Sequence, residues 1–103
     1  MAKIPSEKII DAMEEMLNVA SDSTRLKILY SLLPSKGKNS EKSVSDIIKD
    51  IGASQSLVFH QLRVLKDADL IGSRKEGTRV YYYLKDEHVH ELIKVVYEHV
   101  CEK

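Results

Sequence analysis

Two periodicities of apolar positions divide this chain. They recur at helical spacing up to residue 67, crowd into strand-like runs over 71–84, and return to helical spacing over 86–102. Pro5 and Ser6 open a first helix with Ile9, Ile10, Met13, Met16 and Leu17 on one stripe. That stripe is either core or part of a face between two chains. A second helical pattern covers residues 19–33, capped by Asp22 or Ser23, with Leu26, Ile28, Leu29, Leu32 and Leu33 turned inward. Residues 34–42 are polar and rich in breakers, and they predict an exposed loop with its lysines in solvent.

Residues 44–71 predict two short helices joined by a tight turn. Ser43 or Ser45 caps the first, which buries Ile47, Ile48 and Ile51, and Gly52 ends it. Ser54 caps the second, whose Val58, Leu62 and Leu65 form one stripe with Leu57 and Gln61 at its edge. At about 100° per residue, Ser56, His60, Arg63 and Asp67 lie on the opposite face. Their hydroxyl, imidazole and guanidinium groups suit base edges and phosphates in a major groove. A helical hairpin with a solvated polar face accounts for the spacing equally well.

The following segment bears on that choice. Residues 71–84 predict two strands around Glu76-Gly77, a hairpin with Arg74, Lys75 and Arg79 near its tip. Surface hairpins often carry such residues for solubility alone. Directly after a helix-turn-helix, however, a basic hairpin has the layout of a winged helix, whose wing follows the phosphate backbone.

Length and composition set further bounds. A chain of 103 residues is expected to form one domain, with a modest core that self-association would help to stabilise. There is no run of about 18 apolar residues, so neither a membrane span nor a membrane partner is expected. The start lacks a signal-peptide pattern and Cys101 is the only cysteine, which fits a reducing cytoplasm. Formal net charge is +0, but its distribution is uneven. Residues 23–84 hold eleven basic and six acidic side chains, and the two ends together hold five basic and ten acidic. The positive share thus lies on the segment with the reading helix and hairpin, where a polyanion would meet it.

The last segment predicts one helix with Val89, Ile93, Val96 and Val100 on an apolar stripe. Measured from His88, Val95 lies at about −20°, His99 at about +20° and Glu102 at about −40°, all on one face. Asp86 joins His88 only from an N-cap position, and His90 and Cys101 point to the far side. His88 and His99 are eleven residues apart, or about 16 Å along a helix. Ligands of one ion lie within about 2 Å of it, so these residues of one chain cannot share a metal. An antiparallel partner helix would bring Asp86 and His88 against the other chain's His99 and Glu102, giving two symmetric sites. Two imidazoles and two carboxylates suit zinc. On composition alone, a surface helix with scattered histidines is the simpler account.

Three stretches, however, resemble the ArsR/SmtB metalloregulatory repressors. Ser21-Asp-Ser-Thr-Arg-Leu-Lys-Ile-Leu29 is similar to that family's A-D-P-T-R-L-x-I-L. Ser54-Gln-Ser-Leu-Val-Phe-His-Gln-Leu-Arg-Val-Leu65 is similar to its S-Q-S-x-V-S-x-H-L-x-x-L, and Val80-Tyr-Tyr-Tyr83 to its wing ending. Asp86, His88, His99 and Glu102 also satisfy the D-x-H-x10-H-x2-E/H pattern of its zinc-sensing branch. Two departures matter. Ser43-Val-Ser45 stands where the soft-metal sensors carry C-x-C, so a thiolate site is absent. Phe59 replaces a small serine, and packs inward or meets a thymine methyl.

The resemblance implies a mainly α fold with a β-hairpin wing, a homodimeric winged helix-turn-helix over residues 1–103 whose first and last helices dimerise. It implies a cytoplasmic repressor that holds double-stranded operator DNA when metal-free and releases it on binding zinc, with cobalt or nickel as alternatives. Ser54, Gln55, Ser56, Phe59, His60 and Arg63 of the reading helix, with Arg74, Lys75 and Arg79 of the wing, would meet DNA. Two other classes remain: a winged-helix regulator whose last helix only dimerises, and a small zinc hydrolase. The hydrolase needs an open coordination position and a general base in a pocket, whereas the pattern offers four protein ligands.

Overall fold

Each helix starts where a short polar side chain replaces the missing backbone acceptor. The structure, a computed structural model, describes residues 3–34 and 40–102. It contains helices α1 (Glu7–Ala20), α2 (Ser23–Ser31), α3 (Val44–Ile51), α4 (Gln55–Asp67) and α5 (Glu87–Cys101). The strands are β1 (Lys42–Ser43), β2 (Ile71–Glu76) and β3 (Arg79–Leu84). Ser6, Asp22, Ser43, Ser54 and Asp86 occupy the five N-caps, each accepting from the backbone N–H three residues on. Of the two candidates at each start, Asp22 rather than Ser23 caps α2, and Ser43 rather than Ser45 caps α3. Ser43 forms a reciprocal capping box with Asp46, and Gly52, at φ +71°, ends α3.

Helix α4 ends without glycine. Asp69 takes φ +66° there, while Leu70 N donates to Leu65 O and Asp69 N to Lys66 O, both at 3.0 Å. This Schellman pairing, with an aspartate in the left-handed position, turns the chain sharply into β2 and drops Leu70 and Ile71 into the core. The core joins Ile28, Leu29 and Leu32 from α2 and its end, Ile47 of α3, Val58, Leu62 and Leu65 of α4, and Val89 and Ile93 of α5. Burying each such side chain contributes about 1.5–3 kcal/mol. Helix α4 packs against α1, α2, α3 and β2.

Several expectations are corrected. The helical pattern over residues 19–33 begins as helix only after its expected cap: α1 runs to Ala20, Asp22 caps, and α2 begins at Ser23. The polar loop ends earlier than expected, because Lys42 and Ser43 pair with Tyr82 and Tyr81, making a three-stranded antiparallel sheet in the order β1-β3-β2. Residues 35–39 of that loop lie outside the described residues. The hairpin tip is Gly77-Thr78, one residue on from the expected turn, closed by the pair Glu76↔Arg79. Leu26, expected inward, is 39% exposed, and Val96 and Val100 of the α5 stripe are exposed as well. The α1 stripe is not core in the single chain, since Ile9, Met13, Met16 and Leu17 face outward. Local periodicity found these faces, but this chain's own core does not cover them.

Candidate nucleic-acid interface and metal ligands

Burial of Val58, Leu62 and Leu65 fixes the rotation of α4, and so it fixes what the helix presents. Gln55, Ser56, His60 and Arg63 are all exposed on its outer face. Ser54 sits at the N-cap, where its hydroxyl oxygen accepts from Leu57 N at 3.2 Å. Of the two roles open to Phe59, packing into the core is excluded, because the ring is 47% exposed. It borders a groove between α4 and the sheet that His60, Arg63, Lys66 and Tyr82 also line. Lys66 was not singled out from the sequence. Its Nζ donates to Ser73 Oγ at 2.7 Å and ties the end of α4 to β2.

On the hairpin, Lys75 and Arg79 are exposed. Arg74 is already engaged: Nε donates to Glu41 at 2.7 Å, Nη1 donates to Glu76 at 3.1 Å, and the guanidinium lies 5.0 Å from the Tyr81 ring centroid. The hydrogen bonds to Glu41 and Glu76 push its pKa still higher. Near the start of α3, hydrogen bonds from Ser43 hold the Asp46 carboxyl below its ordinary value, and Arg79 and Lys49 add smaller favourable charges.

At the other end of the chain, Asp86 is the N-cap of α5, as its proposed ligand role requires. Its Oδ1 accepts from Val89 N at 3.1 Å and lies 3.7 Å from His88 Nδ1. His88 is almost fully exposed, and His99 and Glu102 are exposed at the far end of the helix. The fold thus brings Asp86 to His88, and one straight helix keeps His99 and Glu102 away from them. Each pair offers one imidazole and one carboxylate, a half-set that fits a tetrahedral zinc ion if a second such half-set faces it.

His90 points elsewhere, as its angle on the helix predicts. It is half-buried, with Nδ1 2.9 Å from Glu87 Oε1 and 4.0 Å from Glu91 Oε1. Among the described residues, Glu87, His90 and Glu91 alone bring three possible metal-binding atoms within 4.8 Å of one another. They follow the helical i, i+3, i+4 spacing that also makes ordinary surface pairs.

An apolar groove of about 500 Å³ runs between α1, α2 and α5, lined by Leu17, Leu26, Tyr30, Val96, Tyr97 and Val100 among others. Of the outward-facing apolar side chains, it gathers Leu17, Leu26, Val96 and Val100. No helix among the described residues is long and apolar enough to cross a membrane.

The sequence profile "Bacterial regulatory protein, arsR family" matches residues 22–73, the span from the cap of α2 into β2. An uncharacterized HTH-type transcriptional regulator of Methanocaldococcus jannaschii is 38% identical over 84 residues, 82% of this chain and 90% of that one. A cadmium resistance transcriptional regulatory protein CadC homolog of Staphylococcus aureus is 38% identical over 85 residues, covering 82% and 67%. A transcriptional repressor SmtB homolog of Synechocystis is 34% identical over 90 residues, covering 87% of this chain and 64% of that one. Among solved structures, HlyU from Vibrio cholerae superposes with TM-score 0.82 at 28% identity, covering 93% and 99%. The homodimeric winged helix-turn-helix DNA-binding domain Mb0332 of Mycobacterium bovis, a possible ArsR-family regulator, gives TM-score 0.82 at 28% identity, covering 99% and 92%.

Proposed function

The chain belongs to the arsR family of bacterial regulatory proteins, transcriptional regulators rather than enzymes, and from that premise we propose that it is a homodimeric repressor that holds operator DNA when metal-free and releases it on binding zinc. Helix α4 enters the major groove with Ser54, Gln55, Ser56, Phe59, His60 and Arg63 toward bases and flanking phosphates. Lys75 and Arg79 follow the backbone, and Arg74 joins them by exchanging a carboxylate partner for a phosphate. The observation that carries this reading is the rotation of α4, which buries Val58, Leu62 and Leu65 and leaves donor side chains outward beside a basic hairpin.

Dimerisation through α1 and α5 is supported by the apolar groove and by the exposed Ile9, Met13, Val96 and Val100. An isolated chain would leave these in water, at a cost of about 25 cal/mol for each Å². The Mycobacterium bovis domain, alike over nearly the whole chain, is homodimeric, which supports a dimer here as well. Such a regulator works on DNA in the cytoplasm.

Zinc is proposed to bind between antiparallel α5 helices, held by Asp86 and His88 of one protomer and His99 and Glu102 of its partner. Cobalt and nickel accept the same donors. The pairing of Asp86 with His88 supports the first half of this set. For zinc to act as a switch, it must favour a dimer shape that fits DNA less well. A coupling of about 1–3 kcal/mol weakens DNA binding roughly 5- to 150-fold, and DNA weakens zinc binding by the same factor.

The decisive experiment titrates the purified protein with DNA from a randomised duplex pool, with and without zinc. Selection of a preferred duplex and its release by zinc is the expected result. Selection that zinc leaves unchanged would reduce α5 to a dimerisation helix, and no selection at all would overturn the regulator reading.

A further inference from the structure

We infer that Arg25 is a positioning residue that ties the reading helix to the dimerisation helix, so that the two cannot tilt independently. Its Nε donates to Val19 O at 2.6 Å, and its Nη1 donates to Gln61 Oε1, also at 2.6 Å. Val19 lies in the last turn of α1, and Gln61 lies on α4 between the buried Leu62 and the exposed His60. One planar guanidinium therefore joins three helices, α1, α2 and α4.

The chemistry at both ends is specific. Residues 17–20, the last turn of α1, carry no basic side chain, and their carbonyls have no further helical N–H to accept from. Arg25 supplies the missing donor and the positive charge that a helix C-terminus favours. At the other end, the amide oxygen of Gln61 is a neutral acceptor, so the bond is charge-assisted on one side only. Arg25 is itself held in place, because its backbone N–H donates to the Asp22 cap at 3.0 Å. That bond fixes the backbone from which the side chain starts, and the bonds to Val19 O and Gln61 Oε1 hold its far end.

The geometric consequence rests on the proposed homodimer. If α1 helps to form the dimer face, the dimer fixes the direction of α1, and Arg25 transmits that direction to α4. The spacing and tilt of two reading helices decide whether both reach their half-sites together. Non-specific binding through wing phosphates does not depend on that register. Arg25 should therefore govern discrimination between DNA sequences more than affinity for DNA as such.

The test uses the full chain, the tightest duplex recovered from a randomised pool, and calf thymus DNA as the non-specific competitor. Arg25→Ala and Gln61→Ala should each lower the ratio of specific to non-specific affinity by about tenfold, the scale of one hydrogen bond to a charged group. The double variant should be no worse than the poorer single one, as for two partners of one bond. Arg25→Lys guards against misfolding of the alanine variant. It keeps the charge at Val19 O, but it lacks the fork that spans both acceptors, so it should fold and still lose discrimination. If Arg25→Lys and Gln61→Ala select as sharply as the wild type, or if the two alanine effects simply add, the tie is overturned. A wild type that selects no duplex overturns the regulator reading and this inference with it, and that outcome is distinguishable from the first two.

Discussion

Gly72 lies opposite Tyr83 across the wing, and the tyrosine ring occupies the space that a side chain at Gly72 would need. The two are register partners in the β2–β3 ladder, and a Cβ placed on Gly72 would stand 2.6 Å from Tyr83 Cε1. Gly72→Ala must therefore displace the ring, and we expect it to destabilise the fold by about 1–3 kcal/mol. Combining it with Tyr83→Leu should recover most of that stability. Thermal melts of the three variants check this, and an unchanged melt for Gly72→Ala would mean that the ring has room to move.

On the reading helix, His60→Ala and Arg63→Ala should each weaken binding to the selected duplex by about 1–3 kcal/mol. Both residues are exposed and lie outside the core, so the dimer and its zinc affinity should stay intact. Full affinity in both variants would remove α4 from the groove.

The wing residues should separate by their present partners. Lys75→Ala and Arg79→Ala should each flatten the dependence of log K on log salt by about 0.9 for every phosphate left without its cationic partner. Arg74→Ala should change it less, because Arg74 must first leave Glu41 and Glu76. An unchanged slope in the triple variant would mean that the hairpin points away from DNA.

The metal site can be divided between protomers by a mixed dimer. One chain carries Asp86→Asn and His88→Ala, and the other carries His99→Ala and Glu102→Ala. Asparagine is chosen because Asp86 also caps α5, and its replacement by alanine would cost about 0.5–2 kcal/mol irrespective of metal. If sites are shared, one loses all four ligands and the other keeps all four, Asp86 and His88 from one chain and His99 and Glu102 from the other, each unaltered. The heterodimer should then bind one zinc tightly. Sites built within one chain would both be half-empty, and failure to bind tightly would end the antiparallel pairing.

Stability should also fall in acid through the Ser43–Asp46 box. Hydrogen bonds from Ser43 depress the folded pKa of Asp46 below its unfolded value, so their contribution is fully present above about pH 4 and fades as pH drops through the lower folded value. Asp46→Asn should flatten the acid limb of the stability profile. An acid limb identical to wild type would mean that the box contributes nothing to it.

Much of this protein was legible because it is local. N-caps such as Ser54 and Asp86 lie three residues from the N–H they satisfy, and the Val58, Leu62, Leu65 stripe repeats within one helix. The sequence by itself therefore determined the helices, the rotation of α4 and the placement of Asp86 beside His88. It could not say what each apolar face meets. Leu26, Val96 and the α1 stripe follow the same periodicity as Leu62 but face outward, because helical spacing records which residues share a face and not what lies opposite. The remaining decisions belong to contacts distant in sequence: Lys42 pairing with Tyr82, Glu41 holding Arg74, and Arg25 reaching Gln61. No local pattern encodes these partners, since each exists only after the core has brought its two segments together.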